Sequence, residues 1–254
     1  MILDKFSLAG KAAIVTGAGT GLGQGMAVAL AEAGADILGV YNEPEAESTA
    51  AQVRALGRKF VGLWADLAST APIPGIIEAA VAAFGRLDIL VNNAGTIRRA
   101  PALEFTEEDW DAVMNVNLKS VFFLCQAAAR QFHKQKSGGR IINIASLLAF
   151  QGGILIPSYT ASKSGVRGLT QLLANEWAAQ GINVNAIAPG YMATSNTAPL
   201  RSDPVRAPAI LARIPAGRWG MPADLQGAVV FLASEASAYV NGFTLAVDGG
   251  WLGR

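Results

Sequence analysis

The chain has 254 residues and a net charge of +1, with 20 Lys and Arg against 19 Asp and Glu. Without a basic excess to neutralise phosphates, nucleic acid is not an expected partner. Hydrophobic residues make up 52% of the chain and charged residues 15%, which fits a sheet buried on both faces. We expect no membrane association or export, because no apolar run is long enough and residues 1–11 lack a signal-peptide pattern.

The chain contains one cysteine, Cys125, and one histidine, His133. A single cysteine cannot form an internal disulfide, which favours the cytoplasm and a core role for Cys125. Neither a zinc site nor a Ser-His-Asp triad has enough ligands or partners to form. We therefore predict no metal site.

Short apolar runs alternate along the chain with longer amphipathic stretches, and the first helices are predicted at residues 21–33 and 44–56. The predicted strands are residues 12–16, 36–41, 60–65, 87–92, 140–145, 182–188 and 243–247. This alternation predicts βαβ units, a parallel sheet and one domain over 1–254. Only residues 189–222 break the rhythm, with several prolines, and we predict that they cap a site.

A glycine-rich loop directly follows the first predicted strand and opens the first helix. Gly17, Gly21 and Gly23 give the pattern G-x-x-x-G-x-G. Glycines here permit a tight turn and bring the backbone close to a pyrophosphate at the helix N-terminus. The loop indicates a nucleotide or dinucleotide, and a methyltransferase remains an alternative at this point.

The end of the second strand should select the cofactor, because ribose-binding groups lie there. Tyr41 and Asn42 occupy it, and residues 12–53 contain no Lys or Arg that could bind a 2′-phosphate. Three nearby carboxylates would repel such a phosphate: Glu43, Glu45 and Glu47. We therefore predict NAD, with NADP as the alternative. Asp66, after the third strand, is predicted either to touch adenine or to cap a turn.

Tyr159 and Lys163 are four residues apart downstream of a strand-like run that ends near Ser146. On a helix this spacing places the two side chains on one face. An ammonium beside a phenol favours the phenolate, so we expect Lys163 to lower the pKa of Tyr159. Tyr159 would then act as a general acid or base.

These motifs together resemble the short-chain dehydrogenase/reductase family over essentially the whole chain. The resemblance is carried by the loop 16–23, Asn92-Asn-Ala-Gly95, Asn117, Ser146, Tyr159, Lys163 and Pro189-Gly190. It implies a Rossmann-like, doubly wound α/β fold with a seven-stranded, mainly parallel sheet, and often a homotetramer. It also implies hydride transfer between a nicotinamide and an alcohol or ketone carbon.

The resemblance assigns four catalytic residues. Tyr159 would exchange the proton, Ser146 would hydrogen-bond the substrate oxygen, and Lys163 would hold the nicotinamide ribose. Asn117 would hold a water that links Lys163 to solvent. The cofactor would be bound by Gly17, Thr20, Gly21, Leu22, Gly23, Tyr41, Asn42, Asp66, Leu67, Asn93, Ala94, Gly95, Tyr159, Lys163, Pro189, Gly190, Met192 and Thr194.

Further segments resemble a subgroup of the family that acts on sugar acids from pectin breakdown. They are residues 150–153, 158–165, 188–194, 214–220 and 246–252. A sugar acid carries a carboxylate, which Arg98 and Arg99 after the fourth strand could bind if they reach the site. Gln151 and Trp219 are further pocket candidates, whereas Trp251 is expected to serve packing or an interface.

Other functions remain open at this stage. Another short-chain reductase, such as a 3-oxoacyl carrier-protein reductase or a polyol dehydrogenase, would share the catalytic residues. A non-catalytic nucleotide sensor would be expected to lose Tyr159 or Lys163, and both are present. A methyltransferase would leave Ser146, Tyr159 and Lys163 unexplained.

Overall fold

A computed structural model of the chain describes residues 1–42 and 46–254. Seven parallel strands form one sheet in the order β3-β2-β1-β4-β5-β6-β7. The strands are β1 (Ala12–Thr16), β2 (Asp36–Tyr41), β3 (Phe60–Trp64), β4 (Ile89–Asn92), β5 (Gly139–Ile144), β6 (Ile182–Pro189) and β7 (Thr244–Val247). The predicted single-domain, doubly wound fold is confirmed, with β1 and β2 at their predicted bounds and the other strands displaced by one or two residues.

Helices flank both faces of the sheet. They are α1 (Gly21–Glu32), α2 (Glu47–Ala55), α3 (Ile73–Phe84), α4 (Glu107–Met114), α5 (Ser120–Gln135), α6 (Pro157–Trp177), α7 (Ala198–Arg201), α8 (Arg206–Arg213) and α9 (Gln226–Ala233). The predicted start of the second helix, at Pro44, lies outside the described residues. The strand order reverses between β1 and β4, and ligands of open α/β sheets bind at the carboxyl ends of strands beside such a reversal.

The core lies on both faces of the sheet because alternate strand residues point to opposite sides. In β1, Ile14 packs in a cluster with side chains of α3, α5 and α6. Its neighbours Ala13 and Val15 pack in a second cluster with α1 and α9. This explains why the central strands are continuous apolar runs rather than alternating ones.

One helix of the described part of the chain, residues 107–135, is long and apolar enough by length and composition to cross a membrane. We expected no such stretch; a π-helical turn, Asn115–Lys119, joins α4 and α5 into one helix. Of its most apolar window, 44% is buried, and Leu124 and Phe132 lie in the core. Core helices of soluble proteins pass the same test.

Residues 189–222 form short helices instead of another βαβ unit. They contain α7 and α8, and Ile210 and Ile214 pack with Leu147 and Trp251 in a third, smaller cluster. This cluster lies beyond the carboxyl ends of β5 and β6, where the site is found.

Candidate active site

A cavity of about 970 Å³ opens at the carboxyl ends of the strands. Every residue predicted to bind the cofactor lines this cavity, as do Ser146 and Gln151. Its size suits a small organic ligand. The cavity has one wall built from the strand ends and the glycine loop, and another built from α7, α8 and Trp251.

The glycine loop fits a dinucleotide because its backbone is packed too closely for side chains. Gly17 has φ of +66°, and a Cβ on Gly23 would lie 1.9 Å from the carbonyl oxygen of Gly17. Thr20 makes no side-chain cap, so the first amides of α1 have no side-chain acceptor. Unpaired amides at a helix N-terminus bind anions such as a pyrophosphate.

The turn after β4 is fastened to this loop by side chains. The hydroxyl of Thr16 accepts hydrogen bonds from the backbone amides of Asn93 and Ala94, each at 3.0 Å. The Asn93 side-chain amide donates to the carbonyls of Thr16 and Gly17, at 2.9 and 3.2 Å. Asn93 lines the cavity, yet these contacts make its side chain a support for the loop. Sequence reasoning missed Thr16, which the motif left as an ordinary strand end.

The end of β2 carries no cationic side chain in the described part of the chain. Tyr41 and Asn42 line the cavity there, and the indole of Trp64 donates to the Asn42 carbonyl at 3.1 Å. Glu47 is 85% exposed and pairs with Arg54 at 3.4 Å. The other two predicted carboxylates, Glu43 and Glu45, lie outside the described residues.

Asp66 shows both features that were posed as alternatives. Its carboxylate accepts the backbone amide of Ala68 at 2.9 Å, as a turn cap does, and the residue also lines the cavity. Leu67 lines the cavity beside it. The Ser120 hydroxyl holds the carbonyl of Leu67 at 2.7 Å, which fixes this edge of the cavity to α5.

Tyr159 and Lys163 lie on one face of α6, which begins at Pro157, a favoured first helical residue. The Lys163 ammonium is 5.6 Å from the centroid of the Tyr159 ring. It donates a hydrogen bond to the carbonyl of Ile144 at 2.6 Å. Burial lowers the pKa of Lys163 to about 8, because removal from water disfavours the charged form.

The pKa of Tyr159 is not lowered as we predicted. Burial raises it, while the Ser146 hydroxyl, through a hydrogen bond, and the positive charge of Arg99 act in the opposite direction. The Lys163 ammonium donates to the Ile144 carbonyl, and the groups that act against burial at Tyr159 are Ser146 and Arg99. Ser146 is the N-cap of a short turn and accepts the amide of Leu148 at 3.3 Å.

Asn117 lies in the π-helical turn and does not line the cavity. Its side chain accepts the amide of Thr96 at 2.8 Å and donates to the Thr96 carbonyl at 2.9 Å and to Ser162 at 3.3 Å. The Ser162 hydroxyl in turn donates to the carbonyl of Tyr159 at 2.8 Å. Asn117 therefore joins the turn after β4 to α6, and its predicted water-holding role stays a prediction.

The two candidate arginines separate in the structure. Arg99 lines the cavity and donates to the carbonyl of Asn196 at 3.3 Å. Arg98 does not line it and pairs with Asp109 at 3.3 Å. The prediction that Arg98 reaches the site is therefore not supported by its position.

Trp251 and Trp219 both pack in the third cluster, as the packing alternatives for them predicted. Trp251 lines the cavity and is buried, with its indole donating to Gln151 at 3.1 Å. Trp219 is not part of the lining and packs edge-on against Tyr191, with ring centroids 5.7 Å apart. Tyr191, Arg206 and Arg213 also line the cavity. Sequence reasoning missed the last two, although seven residues is about two helical turns and places both on one face of α8.

No group of His, Cys, Asp or Glu in residues 1–42 and 46–254 is arranged to hold a metal ion. Cys125 is buried, with its pKa raised to about 12 by that burial. It contacts Asn92 at 3.2 Å, away from the cavity lining.

A doubly wound sheet with a glycine loop and a Ser-Tyr-Lys set at its carboxyl edge defines a nicotinamide-dependent oxidoreductase. Comparison with known proteins agrees: residues 17–252 match a family model described as "Enoyl-(Acyl carrier protein) reductase". The chain belongs to the short-chain dehydrogenase/reductase family.

Particular relatives resemble it over their whole length. The chain is 66% identical over 254 residues, all of both chains, to 2-dehydro-3-deoxy-D-gluconate 5-dehydrogenase of Escherichia coli strain K12. A solved structure from Agrobacterium tumefaciens, provisionally named 2-deoxy-D-gluconate 3-dehydrogenase and holding NADP, is 54% identical with a TM-score of 0.93, covering 98% of this chain and 99% of that one. A gluconate 5-dehydrogenase from Burkholderia cenocepacia J2315, in complex with NADP and tartrate, is 42% identical with a TM-score of 0.94, covering all of both chains.

Proposed function

We propose that the chain is a 2-dehydro-3-deoxy-D-gluconate 5-dehydrogenase, which interconverts the hydroxyl and keto forms of carbon 5 in this sugar acid. Oxidation of 2-deoxy-D-gluconate at carbon 3 is the closest alternative within the same substrate class. The observation that carries the proposal is Arg99, a cation that lines the cavity and acts on the charge of Tyr159. A site with this charge favours an anionic substrate over a neutral one. The relative from E. coli adds full-length support.

In the proposed reaction a bound nicotinamide accepts or supplies the hydride. Tyr159 takes the hydroxyl proton during oxidation and returns it during reduction. The Ser146 hydroxyl hydrogen-bonds both Tyr159 and the substrate oxygen, where charge develops. Lys163, fixed by the Ile144 carbonyl, holds the nicotinamide ribose, and Asn117 holds the turn and helix together and a relay water.

NAD is the proposed preferred cofactor, with NADP as the alternative. The cationic side chains of the cavity lining are Lys163, Arg99, Arg206 and Arg213. None of them belongs to the β2 end, where a 2′-phosphate would lie. The related structures from A. tumefaciens and B. cenocepacia hold NADP, which supports NADP as the alternative.

Three further features belong to the proposal. Residues 189–222 act as a substrate cap, which is supported by the residues of α7 and α8 in the cavity lining. The protein works as a homotetramer, as the family resemblance implies. It acts in the cytoplasm, in the breakdown of pectin-derived acids, and the single buried cysteine supports this location.

The test is absorbance of reduced nicotinamide with the purified protein. We expect 2-dehydro-3-deoxy-D-gluconate to reduce NAD faster than NADP. 2-Deoxy-D-gluconate serves as the comparison acid, and simple polyols serve as neutral substrates. Turnover restricted to NADPH with an acetoacetyl thioester would instead identify a carrier-protein reductase, and turnover restricted to polyols a polyol dehydrogenase.

Tyr159→Phe tests the chemical role within this scheme. We expect loss of turnover by roughly 100-fold or more, in line with the usual contribution of a general acid or base. Cofactor affinity, measured by nicotinamide fluorescence, should change little because the ring remains. Substantial residual turnover in this variant would contradict the mechanism and would support a site in which another group moves the proton.

A further inference from the structure

Arg213 stands at the end of α8 with its guanidinium over an aromatic ring. The guanidinium carbon is 4.1 Å from the centroid of Trp251, and both residues line the cavity. Arg213 is exposed, and no acceptor in residues 1–42 or 46–254 bonds its side chain. A guanidinium that stacks on an aromatic ring still directs its N–H groups outward in its own plane, where they are available to an anion.

The ring below Arg213 is held rigidly. Trp251 is 3% exposed, its indole N–H is bonded to Gln151, and the ring of Tyr191 lies 4.7 Å away. Burial raises the pKa of Tyr191, and the charges of Arg206 and Arg213 act in the opposite direction. Gln151, Trp251 and Arg213 thus form a continuous platform along the substrate wall.

The other cations of the cavity lining make different contacts from Arg213. Arg99 donates to the Asn196 carbonyl and acts on Tyr159. Arg206 lies beside Asp203, which accepts its backbone amide at 2.8 Å and whose pKa is lowered by backbone hydrogen bonds and, to a smaller extent, by the Arg206 charge. Lys163 donates to the Ile144 carbonyl. In residues 1–42 and 46–254 the guanidinium groups of Arg206 and Arg213 make no hydrogen bond or ion pair, and of these two lining cations Arg213 is the one oriented by an aromatic ring.

We propose that Arg213, positioned by Trp251 and Gln151, binds the carboxylate of the sugar acid. This inference rests on the proposed function and extends it. In that substrate the carboxylate is carbon 1 and the reacting centre is carbon 5, so the two ends cannot both lie at Tyr159. A planar, preoriented guanidinium suits a carboxylate in bidentate geometry. Arg99 is then left to act on the reacting end.

The experiment compares two substrates of equal shape, 2-dehydro-3-deoxy-D-gluconate and its carbon-1 amide. Arg213→Gln should lower kcat/KM for the acid by roughly 10- to 100-fold, as expected for a lost charged hydrogen bond, with most of the change in KM. Turnover of the amide should stay as in the wild type. Arg213→Lys should recover part of the activity on the acid.

Arg98→Gln is the matched control, since Arg98 pairs with Asp109 outside the cavity lining, and it should change neither rate. An equal loss on acid and amide in Arg213→Gln would show a structural role and overturn the inference. So would an unchanged rate on the acid. Failure of the wild-type protein to turn over the acid would overturn the proposed function, and the carboxylate assignment with it.

Discussion

Tyr159 lies between opposing electrostatic influences. Burial disfavours its phenolate, whereas the Ser146 hydroxyl and the Arg99 charge favour it. Lys163, the expected activator, is buried itself, and its pKa of about 8 leaves its charge incomplete in mildly alkaline solution. In this arrangement Arg99 supplies part of the activation that the Tyr-Lys spacing alone assigns to lysine.

Arg99→Gln should therefore shift the pH profile of alcohol oxidation. Oxidation needs deprotonated Tyr159, and loss of the Arg99 charge raises the pKa of Tyr159, so the acidic limb moves to higher pH. At pH 7 we expect kcat for oxidation to fall by about one order of magnitude, or ~1.4 kcal/mol. Reduction, which uses the protonated form, should lose less. Equal losses in both directions with an unmoved profile would contradict this role.

The sequence predicted those site residues that act together with residues close to them along the chain. The glycine loop and the Tyr159–Lys163 pair depend on local spacing, and they are found where expected. The Gln151–Trp251 bond joins residues 100 positions apart, and no local pattern predicts it. For the same reason Trp251 was expected only to serve packing or an interface, its place in the cavity lining was missed, and Arg213 was not considered.

At the scale of elements, the junction of β1, the glycine loop and α1 depends on the close approach of two backbones. Gly23, in the first turn of α1, allows that approach, and the turn after β4 is tied to it through Thr16 and Asn93. The start of α1 and the turn after β4 therefore form one unit, so a substitution in the glycine loop should displace both.

Gly23→Ala should weaken NAD binding by roughly 100-fold or more, because the added methyl cannot coexist with the Gly17 carbonyl and the anion site must open. Fluorescence titration with NADH measures this, with circular dichroism to verify folding. Gly75→Ala in α3 is the control, since its Cβ meets nothing within 4 Å. Normal NADH affinity in a folded Gly23→Ala protein would contradict the proposed pyrophosphate site.

The bounds of strands and helices were predictable where an element is buried on both faces. Strands β1 and β2 are buried on both faces and read as unbroken apolar runs. The helix over residues 107–135 was not anticipated as one piece, because a π-turn leaves no mark in the periodicity of the sequence. The small helices of residues 189–222 were recognised only as a break in the rhythm, since their packing depends on Trp251.

For the whole molecule, the relevant feature is apolar surface left outside the core. Phe243 is 55% exposed beside the edge strand β7, and Leu172 on α6 is 47% exposed. Phe150, before α6, is 41% exposed. The sequence could not distinguish these exposed side chains from core side chains, because both are apolar and both recur at the spacing of the helix or strand that carries them. Apolar surface on several elements fits the proposed homotetramer.

Light scattering should give a solution mass of four chains of 26.3 kDa each. Phe243→Glu should reduce this mass, because a charge would have to be desolvated at the interface. Leu56→Glu, at the end of α2 and near the opposite edge of the sheet, should leave it unchanged. A monomeric mass for the wild-type protein at micromolar concentration would contradict the tetramer.

One wall of the cavity consists mainly of backbone groups and the other of side chains, and this difference affects how the substrate preference of the protein could change. The strand-end wall uses backbone groups and glycines that tolerate almost no replacement. The other wall combines buried Ile210 and Trp251 with exposed side chains of α8, and the exposed ones can be exchanged without disturbing the core. Mutational libraries confined to the exposed positions of residues 195–214 should therefore yield catalysts with altered substrate preference and intact redox chemistry.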